Sequence, residues 1–297
     1  MQTIYTLSSR DTDLNQKDAQ RILQNHFDLT RNLLVYLNYF LIEVCRYAET
    51  DSHQRSLKHL PTYEDLNVNT KITGNTIIWR MLEDESLRTA FEQIKPERFL
   101  NKDLIRKIYL TLTETNEYKI YCNKENRELK EEKNITEFVL DKLLLANEIF
   151  VSHIEENFSN WNDDGETVIL LLLNFIQKNS KYDLNNLLSE DNITFAKNLL
   201  KSVIEKSAFL ESTIVPKLKN WDSERIAIID MILMKMGLSE FLYFETIPPK
   251  VTINEYIDLA KDYSTPQSGH FVNGILDSIH KELLLSGKIQ KLEYKKK

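Results

Sequence analysis

Glycine sets the first limit on this fold. The 297-residue chain holds six glycines and six prolines, whereas an average chain of this length would carry roughly 20 glycines. Sandwiches and barrels need many tight turns, and phosphate-cradling loops need glycine directly. Neither suits this sequence, so helices are the default. The positions say more than the number. Gly74, Gly165, Pro61 and Pro96 are the only interruptions in the first 215 residues. Gly237, Gly269, Gly274, Gly287, Pro216, Pro248, Pro249 and Pro266 all follow. A long helical region therefore precedes a shorter one with sharper turns.

Apolar residues make up 42% of the chain, enough for a sizeable core, and the net charge is −7. That composition is neither disordered nor membrane-spanning. The longest apolar stretches, 168–173 and 33–45, fall well short of the ~20 residues a span needs. No basic-then-apolar leader opens the chain, so the expected location is cytoplasmic. Cys45 and Cys122 lie too far apart in sequence to suggest a metal-ligand spacing and read as ordinary thiols.

Helical spacing recurs along the chain. Ile22, Leu23, Phe27, Thr30, Leu34, Leu37 and Leu41 predict a helix near 15–49, and Leu104, Ile108 and Leu112 another within 101–121. Ile135, Phe138, Val139, Leu145, Ile149 and Phe150 predict a long helix near 134–158. The run 168–176 is apolar on every side and should be buried centrally. Ala196, Leu199, Val203, Leu210 and Ile214 mark a helix near 191–218. Segments 50–69 and 123–133 read as connections, the second so charged that a solvated surface is expected.

The last third is specified more locally. Asp222 should cap a helix carrying Glu224, Ile226, Ile229, Leu233 and Met236 and ending near Phe244. Thr252-Ile253-Asn254-Glu255 has the pattern of a capping box. Thr265-Pro266 should open a further helix, with Phe271, Ile275 and Ile279 spaced by four. Gly269 and Gly274 on that helix suggest close approach of a neighbour. Three such helices with short links predict an antiparallel bundle.

Catalytic and metal signatures do not stand out. HExxH, GxxxxGK[ST], GxGxxG and CxxC are missing, and the six histidines are scattered. His153-Ile154-Glu155-Glu156 is best explained by chance on an acidic helix. Asp163-Asp164-Gly165-Glu166 reads as a helix start rather than half a calcium loop. The expectation is a non-enzyme without metal or cofactor.

The residues Trp221-Asp222-Ser223-Glu224-Arg225, Asp230, Ile232, Leu233 and Glu240 begin a longer pattern. It continues through Ile247-Pro248-Pro249-Lys250-Val251-Thr252-Ile253-Asn254-Glu255 and Leu259-Ala260-Lys261. Ser268-Gly269-His270-Phe271-Val272-Asn273-Gly274-Ile275-Leu276-Asp277 closes it. This stretch resembles the C-terminal region of the NusB transcription antitermination family, and the long region before it is similar to the family's extended form in Bacteroidetes-type bacteria. The resemblance implies an all-α fold of two crossed helical bundles with a long helical N-terminal extension. We place the N-terminal region at 1–130, the NusB-like domain at 131–290 and a basic tail at 291–297. The resemblance also implies binding of boxA leader RNA together with the ribosomal protein NusE, within an RNA polymerase antitermination complex.

Residues 246–297 hold eight lysines against six acidic residues, a locally basic end in an acidic chain. RNA contact needs such local cations, free amides and stacking surfaces. Lys261, Gln267, Ser268, His270 and Phe271 are the candidate RNA-binding residues, although Phe271 would serve equally as core. The face around Asp230 and Phe241 is the candidate protein-binding surface. The family usually opens with an arginine-rich segment, whereas here the first basic residue is Arg10 and Met1-Gln2-Thr3-Ile4-Tyr5 is similar to the second half of that first helix. The expectation is that the natural start lies upstream; if Met1 is the start, RNA affinity should be weak. Lys235 and Gly237 stand where the family often has arginine and alanine. The alternatives are a helical adaptor with lost RNA binding, or a fragment of an RNA methyltransferase, whose glycine-containing cofactor domain six glycines do not supply.

Overall fold

The computed structural model describes residues 1–8, 16–178, 181–184, 187–218, 226–289 and 291, with Gln16 described only as part of a helix. It is all-helical, with no strand among the described residues. The α-helices are α1 (Gln2–Ser8), α2 (Gln16–Ser56), α3 (Tyr63–Leu66), α4 (Thr76–Glu83), α5 (Glu85–Ile94), α6 (Lys102–Glu114), α7 (Asn116–Asn123) and α8 (Leu129–Phe138). A π-helical stretch, Val139–Leu145, continues α8. Then follow α9 (Glu148–Asn157), α10 (Trp161–Gln177), α11 (Glu190–Glu205), α12 (Ser207–Ile214), α13 (Ile228–Tyr243), α14 (Pro249–Tyr263) and α15 (Ser268–Leu285). No helix among the described residues is long and apolar enough to cross a membrane.

Two compact units emerge, residues 27–187 and residues 1–26 with 188–297. The expected division at 130/131 instead falls inside α8, within the first of these units. The physical reason is the core. Leu33, Leu37, Phe40, Leu41 and Val44 of α2 are buried in one cluster with Ile135, Val139, Phe150, Val168 and Phe175. A cut at 130 would separate α2 from the helices that cover its apolar side.

The predicted helices are present with shifted ends. The helix near 15–49 runs on to Ser56. The one within 101–121 breaks at Thr115, whose hydroxyl caps α7 by accepting from the Tyr118 amide at 3.3 Å. The one near 134–158 breaks at Asn147, which accepts from the Ile149 and Phe150 amides. The acidic motif at 163–166 is the first turn of α10, where carboxylates meet the positive helix end. His153 places Nε2 2.6 Å from the Tyr36 hydroxyl, a structural contact in the core of this unit.

The charged run at 123–133 is not merely a solvated connection. Glu132 is fully buried and accepts from the Thr76 amide at 2.7 Å and the Tyr121 hydroxyl at 2.9 Å. Arg127 reaches it at 3.2 Å and also donates to the carbonyls of Lys71 and Gly74. Buried charge persists only when paired and hydrogen-bonded in this way.

In the unit of residues 1–26 and 188–297, α13 is the axis. It packs against α1, α11, α12, α14 and α15. Its sequence, IIDMILMKMGLSEFLY, leaves no polar face, and ten of its sixteen residues are buried. The expected start of this helix at Asp222, with Glu224 in its first turn, lies outside the described residues; the described helix begins at Ile228 and ends, as expected, before Phe244. The last helix closes with Gly287 at φ +64°, where Lys288 N–H donates to Leu283 O and Gly287 N–H to Leu284 O. That left-handed turn is the Schellman arrangement, which favours glycine.

Candidate nucleic-acid interface

The site is built by the antiparallel pair α14 and α15 against α13. Pro248 and Pro249 start α14, a proline at the first position costing no amide bond. The expected capping box at Thr252–Glu255 does not form. Thr252 is one turn inside the helix, fully buried, and its hydroxyl donates to Glu240 Oε2 at 2.8 Å. Tyr256, one turn on, donates to the other oxygen of Glu240 at 2.5 Å. Burial raises the Glu240 carboxyl above its ordinary range, against these two hydrogen bonds. Lys291 closes the end of α13, donating to the carbonyls of Glu240 and Phe244 at 2.8 and 2.7 Å. Burial lowers the pKa of that ammonium.

Thr265-Pro266 forms a turn ahead of α15 rather than its first residues, with Gln267 as N-cap. The turn is tied internally. Ser268 Oγ accepts from the Thr265 amide at 3.2 Å, lies 2.8 Å from the Thr265 hydroxyl and donates to Asp230 Oδ2 at 2.8 Å. Both Ser268 and Asp230 are buried. This corrects their expected roles: the Ser268 hydroxyl is committed inward, and Asp230 anchors the α15 start to α13 instead of facing a partner. Phe241 is likewise inside, its ring 5.6 Å from that of His280. Among the described residues of α13, Ile228 and Tyr243 at its two ends are the exposed ones.

The remaining candidates do reach one surface. Gln267 and His270 are exposed, Phe271 is half-buried against the core, and with Gly274 and Ile275 they line a depression of about 530 Å³. Lys261 stands beside it on α14. Its stem packs over Gly269, whose added Cβ would lie 3.2 Å from Lys261 Cγ, and its ammonium pairs with Asp258 at 2.8 Å. Gly269 thus allows close helix approach, as expected. Gly274 does not, because an added Cβ there meets nothing within 4 Å. An exposed glycine inside a helix costs about 0.5–1 kcal/mol relative to alanine, and no packing explains this one. Its value lies in leaving the helix backbone open to a ligand, a role the sequence hinted at only through Asn273-Gly274 in mid-helix. Lys235, another departure, ties α13 to α12 by donating to Ser207 Oγ at 3.1 Å and Glu211 Oε2 at 2.7 Å.

Fold and site together define an all-helical protein that presents a helix start, an aromatic edge and an open backbone on one surface. Residues 153–281 match the model of the NusB family. The chain is 42% identical over 106 residues to the transcription antitermination protein NusB of Salinibacter ruber, covering 35% of this chain and 66% of that protein. It is 42% identical over 97 residues to that of Chloroherpeton thalassium, 33% of this chain and 46% of that protein. With that of Methylacidiphilum infernorum the identity is 46% over 83 residues, 28% of this chain and 58% of that protein. Through this region the chain belongs to the NusB family. The matches span less than two thirds of each of these relatives. No solved structure matches.

Proposed function

We propose that this chain is a transcription antitermination factor that binds boxA-type leader RNA together with NusE and acts without catalysis. The observation that carries this reading is the depression at the start of α15, where Gln267, His270 and Phe271 surround an open Gly274. Uncapped amides at a helix start favour phosphate, and an aromatic edge beside them accepts a stacked base. Lys261 adds a cation at the rim. Phosphate contacts position the strand, and in an acidic protein they must be local, so a partner that adds contacts should raise affinity steeply.

The test is an anisotropy titration of the full chain with a boxA RNA, with and without NusE, between about 50 and 200 mM salt. Binding that needs NusE and weakens with salt supports the proposal. Phe271→Ala should weaken it about tenfold, the loss of one stacked base, with an unchanged thermal melt. A second reading, a helical adaptor without RNA binding, is favoured by the inward Ser268 hydroxyl and the net charge of −7. It would be the right one if NusE binds and no RNA is retained in either arm.

A further inference from the structure

The segment that follows α2 holds large apolar side chains in water. Leu57, Leu60, Tyr63 and Leu66 are 69%, 82%, 81% and 59% exposed. The segment is firmly tied down. The Thr62 hydroxyl accepts from the Asp65 amide at 3.2 Å, and Asp65 Oδ2 accepts from the Thr62 amide at 3.1 Å, a complete capping box. Lys58 Nζ donates to the buried Asp65 carboxylate at 2.6 Å, and Asn67 Nδ2 donates to Tyr63 O at 2.8 Å. The hydrogen bonding of Thr62, Asp65 and Asn67 thus fixes the backbone in a form that turns four apolar groups outward. Tyr63 and Leu66 share one face of the helical turn, three residues apart.

We propose that residues 57–66 form a two-fold contact between two copies of this chain. The exposed parts of these side chains amount to on the order of 400–600 Å², the upper end of what a monomer carries as one apolar patch. Two copies would remove about twice that area from water, near the ~1,000 Å² that separates a specific contact from an incidental one. The charge order in the segment is self-complementary. Lys58 and His59 lie at its start and Glu64 near its end, so in a two-fold pairing the basic start of each copy meets the acidic end of the other. A different acidic or basic partner finds no net charge to select it here, because Lys58 and Asp65 already neutralise each other. The overall charge of −7 opposes association at low salt. Salt should therefore strengthen this contact, opposite to its effect on RNA binding.

Sedimentation velocity of the full chain between about 10 and 300 µM protein tests this. The expected result is a weight-average mass that climbs from 35.0 kDa toward twice that value. Leu60→Asp should raise the dissociation constant at least tenfold with an unchanged melt, since Leu60 touches little of the fold. Leu60→Cys should give a disulfide-linked dimer under mild oxidation, because an isologous contact brings equivalent residues near the axis. A chain that stays monomeric throughout, or a dimer indifferent to Leu60→Asp, overturns the proposal.

Discussion

Replacing Glu240 with alanine should lower the unfolding free energy by about 2–4 kcal/mol. The carboxylate is buried on α13 and receives the Thr252 hydroxyl at 2.8 Å and the Tyr256 hydroxyl at 2.5 Å. Both donors come from α14 and both are buried, so truncation strands two hydroxyls in the core. Each buried polar group left without a partner costs about 1–3 kcal/mol, and the vacated volume adds to it. Urea denaturation of the full chain reads the total. Hydrogen exchange over residues 228–285 should show the loss concentrated in α13–α15. A change under about 1 kcal/mol would mean that the network is dispensable.

The same group gives a pH signature whose sign follows from its burial. Its folded pKa lies above the ordinary 4.5, burial being the largest cause. Below 4.5 the carboxyl is protonated in both folded and unfolded chains and contributes nothing to the pH dependence. As pH rises past that value the unfolded chain releases its proton first. Stability therefore falls until the folded value is passed, and the full cost of ionisation remains above it. Glu240→Gln keeps the shape and hydrogen-bonding capacity but cannot ionise. Its stability relative to the native chain should accordingly improve between about pH 4 and pH 7. Glu255 and Lys291 also act electrostatically on this carboxyl, the first raising and the second lowering its pKa.

Glu240 also shows where sequence reading reaches and where it stops. The all-helical class, the axis helix ending before Phe244 and the family pattern were legible, because apolar spacing and a long motif are local properties. Thr252-Ile253-Asn254-Glu255 was misread because its cap pattern is also local, whereas its use is not. Pro248-Pro249 had already started the helix, and a buried glutamate twelve positions earlier claimed the threonine. Ser268 and Asp230 share that history: both are polar residues of the motif, and their distance in sequence hid their 2.8 Å bond. In the 123–133 run, nothing in the pattern separates buried Glu132 from its exposed neighbour Glu128; burial was set by the turn at Lys71–Gly74 that Arg127 grips. Division of the chain failed similarly, since α2 meets its core partners a hundred residues later. The surface residues Gln267, His270 and Phe271 were found because a helix start and an aromatic spacing need no distant partner to be read.

Two glycines of the last third should answer oppositely to a larger side chain. Gly237 lies on buried α13, where an added Cβ would stand 3.0 Å from both Leu276 methyls and 3.2 Å from Tyr256 Cδ2. Leu276 is fully buried and Tyr256 is held by Glu240, so neither can move aside cheaply. Gly237→Val adds two further methyl groups to that gap and should cost about 3 kcal/mol, the upper part of the usual range for overpacking. The helix-propensity gain of under 1 kcal/mol offsets only a fraction. At Gly274 the surroundings are open, and Gly274→Ala should stabilise the protein by about 0.5–1 kcal/mol. The same methyl would stand in the depression beside Phe271, so RNA affinity should fall while stability rises. Thermal melts and the RNA titration on the two variants separate the roles. If Gly274→Ala is more stable and binds RNA as well as the native chain, the open backbone is not used in recognition, and the depression at the α15 start loses its main structural argument as the RNA site.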